Sequence, residues 1–298
     1  MQHRKNAIAL LITVLFVILI TVAIGYSLRQ VNAATGIVKN ETLLYQNAMI
    51  VEDVLRILQN SADVARVADA NSSEELFMLL SQSSFIPLES SGLRVLIKLS
   101  SARAKLNPSS LSQDGIVALR EYMSMKMVSN DYVDILLDCM SGVKLDGSYR
   151  SAIFNEHPYL YRDSIASQHH LEQINDFFAK EYNENSLERV EFKKLFYFTD
   201  DANTTIDLNY ATTEVWEMML GTDKERARML SSSAGLYSDV DSLALSVDET
   251  ERLARFKTSF FEPVVFVELE IMQDQSSAYI SFEYDLKSKK GSNFVYEI

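Results

Sequence analysis

The feature that most constrains this chain is an uncharged apolar run from Ala7 to Leu28. At a rise of 1.5 Å per residue, a helix over this run is about 33 Å long, enough to cross a hydrocarbon core of about 30 Å. Arg4 and Lys5 precede the run, and positive residues favour the cytoplasmic side of a membrane. We therefore predict one transmembrane helix over 8–28, with the residues before it in the cytoplasm and the rest of the chain outside.

A cleaved secretory signal is the alternative interpretation of this run. Such signals have an apolar part of about 7–15 residues that ends in a small-residue cleavage site. The run is longer than that, but Val31-Asn32-Ala33-Ala34 is a weak cleavage site. We favour retention in the membrane, and the signal-peptide alternative stays open.

The helix is predicted to continue beyond the membrane as an amphipathic segment over 29–58. This stretch has no proline, and its only glycine is Gly36. Apolar residues recur in it at helical spacing, which indicates one apolar face. They are Leu44, Val51, Val54, Leu55 and Leu58. Residues 59–75 are small and polar, and we expect the helix to end there in a loop.

The C-terminal part of the chain is typical of β-structure. Three segments rich in β-branched and aromatic residues are separated by polar breaks, which predicts an antiparallel meander of three strands. The segments are Val264–Met272, Ala278–Asp285 and Asn293–Ile298. An earlier segment, Leu93–Ser100, also has the pattern of a strand, and we expect it to join the same sheet.

Residues 109–256 have mostly helical periodicity. The clearest helices are Ile116–Met127, Asp131–Met140, His170–Tyr182 and Thr213–Leu220. Plausible N-caps are Ser112 or Asp114, Asn130 and Thr212. We therefore predict an α+β fold in which the long N-terminal helix packs on a small antiparallel sheet. Residues 59–108 and 257–298 form the sheet domain, and 109–256 form a helical insertion.

The charge and the cysteine content exclude several classes of function. A net charge of −13 opposes general binding to nucleic acid, because a phosphate backbone repels an acidic surface. With Cys139 as its one cysteine, the chain can form neither an intrachain disulfide nor a thiolate metal cluster. Cys139 lies in an apolar stretch and is predicted to be buried. No G-x-S-x-G motif and no P-loop are present, so we predict that the protein is not an enzyme.

Calcium is the one metal for which the sequence offers candidate ligands. Asp138 and Asp146 lie at a helix end and in a loop, and Asp200, Asp201 and Asn203 form a second polar group. Calcium takes oxygen ligands from loops of this kind, although no EF-hand pattern is met. The alternative is that these carboxylates only stabilise loops and helix ends.

The histidines give a weaker signal. His169 and His170 are adjacent, so on a helix they point to different faces and make a poor metal-binding pair. We expect these two residues and His157 to lie on the surface or in loops.

Two asparagines are predicted to have an architectural role. Asn at a bend can hydrogen-bond to its own backbone and lead the chain into a helix cap. Asn107 and Asn209 occupy similar segments, and Thr212 is the cap that follows the second one.

Five segments together resemble one protein family. They are Ile8-Ala9-Leu10-Leu11-Ile12; Asp134-Ile135-Leu136-Leu137-Asp138 with Asp146-Gly147 and Tyr149; Pro158 and Arg162 with Ala166-Ser167 and Leu171-Glu172-Gln173-Ile174; Thr205–Thr212; and Lys105-Leu106-Asn107-Pro108 as a fragment of that last pattern. Together they resemble the large minor pseudopilin of type II secretion, the K component of the general secretion pathway. The chain departs from this family at Ala7, Cys139 and Asp207, where glycine, tryptophan and asparagine are usual.

The resemblance implies a processed subunit of a pseudopilus. Prepilin peptidase would remove the leader 1–7 by cutting between Ala7 and Ile8. Ile12 would then be the fifth residue of the mature chain, where most pilins have a glutamate, and this apolar residue implies a position at the tip, where assembly starts. The implied location is the bacterial inner membrane, with the C-terminal domain in the periplasm.

The partners implied by the resemblance are other minor pseudopilins, the major pseudopilin and the inner-membrane secretion platform. The fibre could serve protein secretion or DNA uptake. The alternative function is a membrane-anchored extracytoplasmic binding or sensor module. Neighbouring genes for pilin-like chains, a secretion ATPase and a prepilin peptidase would favour the pseudopilus.

Overall fold

The computed structural model describes residues 45–82, 86–90, 93–182, 185–199, 201, 203–233, 235–273 and 276–297. The predicted transmembrane span 8–28 lies outside these residues, as do Ala7, Ile8 and Ile12. Among the helices of the described part, none has the length and apolar character needed to cross a membrane. The chain divides into two compact units, residues 1–57 and 58–298; the described residues 45–57 belong to the first unit, and those from 58 onward belong to the second.

In the described residues, three α-helices are followed by two strands, then by eight α-helices with one short strand among them, and finally by four strands. The helices are α1 (described over residues 45–60), α2 (Ala62–Ala70), α3 (Ser73–Gln82), α4 (Gln113–Met125), α5 (Asp131–Met140), α6 (Ile153–Glu156), α7 (Gln168–Tyr182), α8 (Phe192–Leu195), α9 (Thr213–Leu220), α10 (Lys224–Ser231) and α11 (Val247–Leu253). The strands are β1 (Ile86–Ser90), β2 (Leu93–Ser101), β3 (Ile206–Asp207), β4 (Thr258–Ser259), β5 (Val264–Gln273), β6 (Ser276–Asp285) and β7 (Lys290–Glu297).

The first helix is amphipathic where it is described. Val51, Val54 and Leu58 are buried, whereas Glu52 and Asp53 on its other side are exposed. The part of the predicted segment 29–58 that lies before residue 45 is outside the described residues.

The predicted loop over 59–75 is wrong, because α2 and the start of α3 occupy it. Ser61 caps α2 by accepting a hydrogen bond from the N–H of Val64 at 3.4 Å. Val64 and Val67, spaced for one helix face, are both buried. The surrounding small and charged residues obscured that short apolar pattern, although alanine and arginine are good helix formers.

A five-stranded antiparallel sheet in the order β1-β2-β5-β6-β7 is the centre of the fold. The predicted meander is confirmed as β5-β6-β7, although β7 begins at Lys290, inside the stretch that was expected to be a polar break. The early strand joins this sheet, as predicted, by pairing directly with β5. Successive side chains of a strand point to opposite faces, and the register brings the apolar residues of neighbouring strands opposite each other. These residues therefore share one face of the sheet, and this face is buried. Its members are Val95, Ile97, Leu99, Val265, Val267, Leu269, Ile271, Ala278, Ile280, Phe282 and Tyr284.

The chain between β2 and β5 forms a block of helices, α4 to α11, which we call the helical block (residues 109–256). Its hydrophobic core extends to Leu253 and includes the fully buried Trp216. Leu106, which lies just before the block, packs in the same core. The four predicted helices are present, and α5 and α9 have the predicted bounds. Because β2 pairs with β5, both ends of the block connect to adjacent strands, as an insertion requires. The domain boundaries themselves stay a prediction.

The predicted caps have different outcomes. Ser112 caps α4 and Thr212 caps α9, each by accepting a backbone N–H in the first turn. The prediction for Asn130 is wrong, because its backbone is already helical and its side chain makes no capping hydrogen bond. An N-cap side chain reaches the N2 or N3 amide only from a non-helical backbone, so the conformation of Asn130 prevents the bond.

Candidate functional site

Asp138 is buried at the end of α5 and stabilises the loop that follows. Its Oδ1 accepts the N–H of Arg150 at 3.1 Å. Its Oδ2 accepts the N–H of Ser151 at 2.7 Å and the hydroxyl of the same residue at 2.8 Å. Lys144 Nζ lies 3.7 Å from Oδ1 and balances the buried charge. The carboxylate is therefore used by the loop 141–151 itself.

Asp146 is exposed and closes a turn within that loop. Its Oδ1 accepts hydrogen bonds from the backbone N–H and the hydroxyl of Ser148, at 3.1 and 2.8 Å. The backbone bond from Ser148 is the main reason that the pKa of Asp146 is below its usual value. Gly147 adopts a positive φ of 66°, which glycine tolerates best.

The structure gives no metal geometry to these carboxylates. In the described part of the chain, no group of three or more His, Cys, Asp or Glu side chains is placed to hold a metal ion. In the second predicted group, Asp201 accepts the N–H of Asn203 at 2.8 Å, and Asp200 lies outside the described residues. Calcium binding by Asp138 and Asp146 stays a prediction.

Cys139 is fully buried, as predicted. Burial raises the pKa of its thiol to about 12, so the thiolate needed for nucleophilic attack is not formed at neutral pH. Cys139 is therefore a core residue.

The surface prediction for the histidines is wrong for His170, which is only 5% exposed in the first turn of α7. Its Nδ1 accepts the N–H of Ala166 at 3.2 Å. Burial, and to a smaller extent the neighbouring His169, lower the pKa of His170, so its ring is neutral at pH 7. His170 lies on the same face of α7 as Leu171 and Ile174, which are both fully buried, and its ring is therefore buried with them.

The two asparagine segments lie where the sheet and the helical block meet. We call this contact the junction: residues 103–107 and 206–212 together with 257–262. Four backbone hydrogen bonds connect its parts at 2.9 to 3.1 Å: the N–H groups of Asp207, Thr212, Leu208 and Ile206 donate to the carbonyls of Arg103, Ala104, Ser259 and Lys257, respectively. β3 and β4 add a short parallel pairing, which the sequence did not predict.

Asn107 acts at the junction as predicted. Its Oδ1 accepts the N–H of Ser109 at 3.1 Å, a local turn that starts the 3₁₀ helix Pro108–Ser110. Its amide nitrogen donates to the carbonyls of Thr199 and Asp201 at 3.3 and 3.0 Å. One side chain thereby joins a local turn to a segment more than ninety residues away.

Asn209 has an architectural role, but its hydrogen bonds differ from the local ones that were predicted. Its amide nitrogen donates to the carbonyls of Tyr237 and Phe260 at 2.9 and 2.7 Å, and its Oδ1 accepts the N–H of Tyr237 at 2.9 Å. The local turn is formed instead by Asp207, whose Oδ1 accepts the N–H of Asn209 at 3.0 Å. Asn209 is 1% exposed, so these bonds form out of contact with water.

Asp207 is fully buried and connects both sides of the junction. In addition to the N–H of Asn209, it accepts the N–H of Glu262 at Oδ2, at 3.0 Å. Burial raises the pKa of this carboxyl to about 7, although the two N–H donors act in the opposite direction. Ionisation of Asp207 is therefore coupled to the integrity of the junction.

A buried ion pair connects the junction to the sheet, and no sequence pattern predicted it. Arg103 Nη1 lies 2.8 Å from Glu283 Oε2 on β6, with side chains 10% and 5% exposed. Asn293 on β7 donates to Glu283 at 3.1 Å and to the hydroxyl of Thr199 at 2.7 Å. The guanidinium of Arg103 also lies over the ring of Tyr197, 5.3 Å from its centroid.

The junction therefore has the chemistry of a structural connection. Its polar side chains are buried and bonded to backbone groups of segments far apart in sequence, which fixes the helical block on the sheet. Its function is to orient two parts of one molecule.

No family model matches this chain, and no curated protein does. Among solved structures, its fold is similar to that of GspK in the GspK-GspI-GspJ complex of the type 2 secretion system from enterotoxigenic Escherichia coli. The TM-score is 0.56 at 8% sequence identity, and the similarity covers 87% of this chain and 99% of that chain. The protein thus has a GspK-like fold, as the resemblance implied.

Proposed function

We propose that this protein is a minor pseudopilin that forms the tip of a pseudopilus and helps to start its assembly. The observation that carries the proposal is the GspK-like fold over 87% of the chain. The fold supports a pseudopilin-like role in general, and the finer assignment to the tip rests on two further features, Ile12 and the helical block.

Ile12 supports the tip position through the energetics of the membrane. A glutamate at the fifth mature position costs about 2.5–3.5 kcal/mol in hydrocarbon unless it finds a partner. In pilins that partner is the N-terminal amine of an adjoining subunit, so the glutamate favours docking beneath a subunit already in the fibre. With Ile12 in this place, the chain gains nothing from such docking but can still start a fibre.

The helical block supports the same position on steric grounds. A block of about 150 residues inserted between β2 and β5 would obstruct regular stacking within a thin fibre. At the end of a fibre it meets no subunit above it. By analogy with the complex named above, the partners would include two other minor pseudopilins. The family resemblance adds the major pseudopilin, prepilin peptidase and the inner-membrane platform to the proposed partners.

Processing of the leader is tested by N-terminal sequencing of the protein isolated from membranes. Cleavage between Ala7 and Ile8 is expected. A mature chain that begins at Met1 or near Ala34 would contradict the proposal.

The tip position is tested by crosslinking from the first helix in cells that assemble the fibre. We expect crosslinks to other minor pseudopilins and loss of assembly when the gene is deleted. Ile12→Glu should add crosslinks to subunits of the shaft, whereas Leu11→Glu, which brings the same charge to the wrong position, should not. Regular crosslinks along the shaft by the wild-type protein, or normal fibres without it, would refute a tip-initiating role.

A further inference from the structure

An open groove of about 590 Å³ follows α4 along one of its sides. Five residues of α4 line the groove, at positions 117, 120, 121, 124 and 125, which is the spacing of one helix face over about two turns. The other lining residues are Asn130 just before α5, Gly221 just after α9 and Arg252 in α11. The groove is separate from the junction, and the pseudopilin role does not explain it.

Large apolar side chains are exposed along this groove. Val117 and Met125 line it and are 48% and 47% exposed, and Met127, just beyond the end of α4, is 73% exposed. Exposed apolar side chains that cluster, rather than scatter, are typical of a surface that a partner covers. Methionine suits such a surface because its unbranched, flexible side chain adapts to the shape of a partner.

The charged groups of the groove include more arginines than carboxylates. Two carboxylates pair with the arginines that line the groove, and each of them also pairs with a further arginine, at N–O distances of 2.7 to 3.8 Å. Four guanidinium groups are thus balanced by two carboxylates, so this group of charges is positive in a chain whose net charge is −13. The pairs are Arg120 and Arg150 with Asp134, and Arg252 and Arg255 with Glu121.

These features favour an acidic amphipathic helix as the occupant. A helix that binds in a groove presents apolar residues at intervals of three and four positions, which matches a groove that runs along α4 for two turns. Carboxylates beside its apolar face would meet the arginines, and complementary charges favour such a partner over others.

Two other occupants fit the groove less well. In a symmetric dimer, the positive groove of one copy would face the identical positive groove of the other, and like charges repel. An anionic lipid surface matches the charge, but a bilayer is flat on this scale, whereas the groove is concave.

We propose that this groove binds an acidic amphipathic helix of another protein, which places apolar side chains on Val117 and Met125 and carboxylates beside Arg120 and Arg252. Binding at this site is independent of leader processing and of the tip position, so its failure would leave the proposed function intact.

The test is a titration of a fluorescent acidic peptide with the full-length protein in a nonionic detergent, followed by fluorescence anisotropy. The peptide is a capped, alanine-based helix with leucines at three- and four-residue spacing and glutamates beside them. Saturable binding that weakens as salt is added is expected. Met125→Ala should weaken binding about fivefold, because it removes part of the apolar contact. Met229→Ala is the matched control, since it removes an exposed methionine outside the groove, and it should leave the affinity unchanged.

A second peptide tests the role of charge. It has lysine in place of each glutamate and keeps the leucines. It should bind more weakly than the acidic peptide, and the difference between the two should shrink as salt screens the charges.

Four results would overturn the proposal. The first is the absence of saturable binding by the acidic peptide. The second is an equal loss of affinity in Met125→Ala and Met229→Ala, and the third is equally tight binding of the lysine peptide. The fourth is a different occupant: a protein dimer that Met125→Ala dissociates would assign the groove to a second copy, and saturation by short-chain phosphatidylglycerol but not by the peptide would assign it to an anionic lipid. Because Met125 is exposed, its replacement does not endanger folding.

Discussion

At the scale of single residues, the most consequential side chains are short polar groups in buried places. Asp207, Asn209 and Asn107 all lie in the junction, and each bonds to one or more backbone groups. A polar group in such a place stabilises the fold only while its partners are present, because an unpaired buried group carries the full cost of desolvation.

Replacing Asn209 by alanine is expected to lower the free energy of unfolding by about 3 kcal/mol or more. The change leaves three backbone groups without a partner, on Tyr237 and Phe260, at about 1–3 kcal/mol for each buried unsatisfied group. Urea denaturation measures the loss. Asn203→Ala is the matched control, because Asn203 is exposed, and it should change the stability by less than about 0.5 kcal/mol.

Asp207 is expected to make the stability depend on pH between about 4 and about 7. The folded carboxyl keeps its proton up to a pKa of about 7, whereas the unfolded one releases it near 3.8. In this window the folded state binds more protons, so its stability falls as the pH rises, by at most about 1.4 kcal/mol per pH unit, and is constant above the window.

Burial also raises the pKa of Glu262. The variant Asp207→Asn separates the contribution of Asp207 to the pH dependence from that of Glu262. The variant loses one N–H acceptor at every pH but has no proton to release. The difference in unfolding free energy between variant and wild type should therefore shift in favour of the variant from about pH 4 to about pH 7. A difference that does not change with pH would contradict the assignment.

At the scale of elements, four helices of the block begin where a side chain accepts a first-turn amide. Ser112, Thr212, Asp223 and Ser246 do so for α4, α9, α10 and α11. The helices α5, α6 and α8 have no such bond, and α5, which follows Asn130, is stabilised by tertiary packing. Five of its residues are fully buried in the hydrophobic core: Tyr132, Val133, Ile135, Leu136 and Cys139.

The contrast between two caps gives a prediction. Ser112→Ala should destabilise the protein by about 1 kcal/mol, because it removes the acceptor for the N–H of Gly115 and the bond to the carbonyl of Arg255. Asn130→Ala should cost less than about 0.5 kcal/mol, since both residues are exposed and only Ser112 caps. Equal losses in thermal or urea unfolding would show that the cap bond contributes nothing.

At the scale of the whole molecule, two separately built parts are joined through a few buried contacts. The helical block has its own core, and the sheet has its own apolar face. Between them lie the junction and the ion pair of Arg103 and Glu283. A GspK-like fold therefore depends on long-range contacts to keep the block in one orientation.

The buried ion pair is expected to show this dependence. Arg103→Met and Glu283→Gln should each cost about 3–5 kcal/mol, because either change leaves a buried polar group without its partner. The double variant should lose clearly less than the sum, with a coupling of about 1–3 kcal/mol. An equivalent double-mutant cycle on the exposed pair of Lys180 and Glu156 should show far weaker coupling. Additive losses for the buried pair would contradict its role.

The sequence alone determined the features that depend on residues close together in the chain. Enrichment in β-branched and aromatic residues between polar breaks predicted β5, β6 and β7, the strand pattern at 93–100 predicted β2, and helical spacing predicted α4, α5, α7 and α9. The capping roles of Ser112 and Thr212 and the turn at Asn107 were also predictable. Each of these follows from a side chain and a backbone group within a few positions of it.

Only the tertiary structure decided the features that depend on distant partners. Asn209 bonds to residues 28 and 51 positions away, and Arg103 pairs with Glu283 across the inserted block. His170 is buried although a surface position was predicted, and the pairing of β3 with β4 joins segments about fifty positions apart. A side chain's burial and its long-range partner are set by packing, which local spacing does not encode.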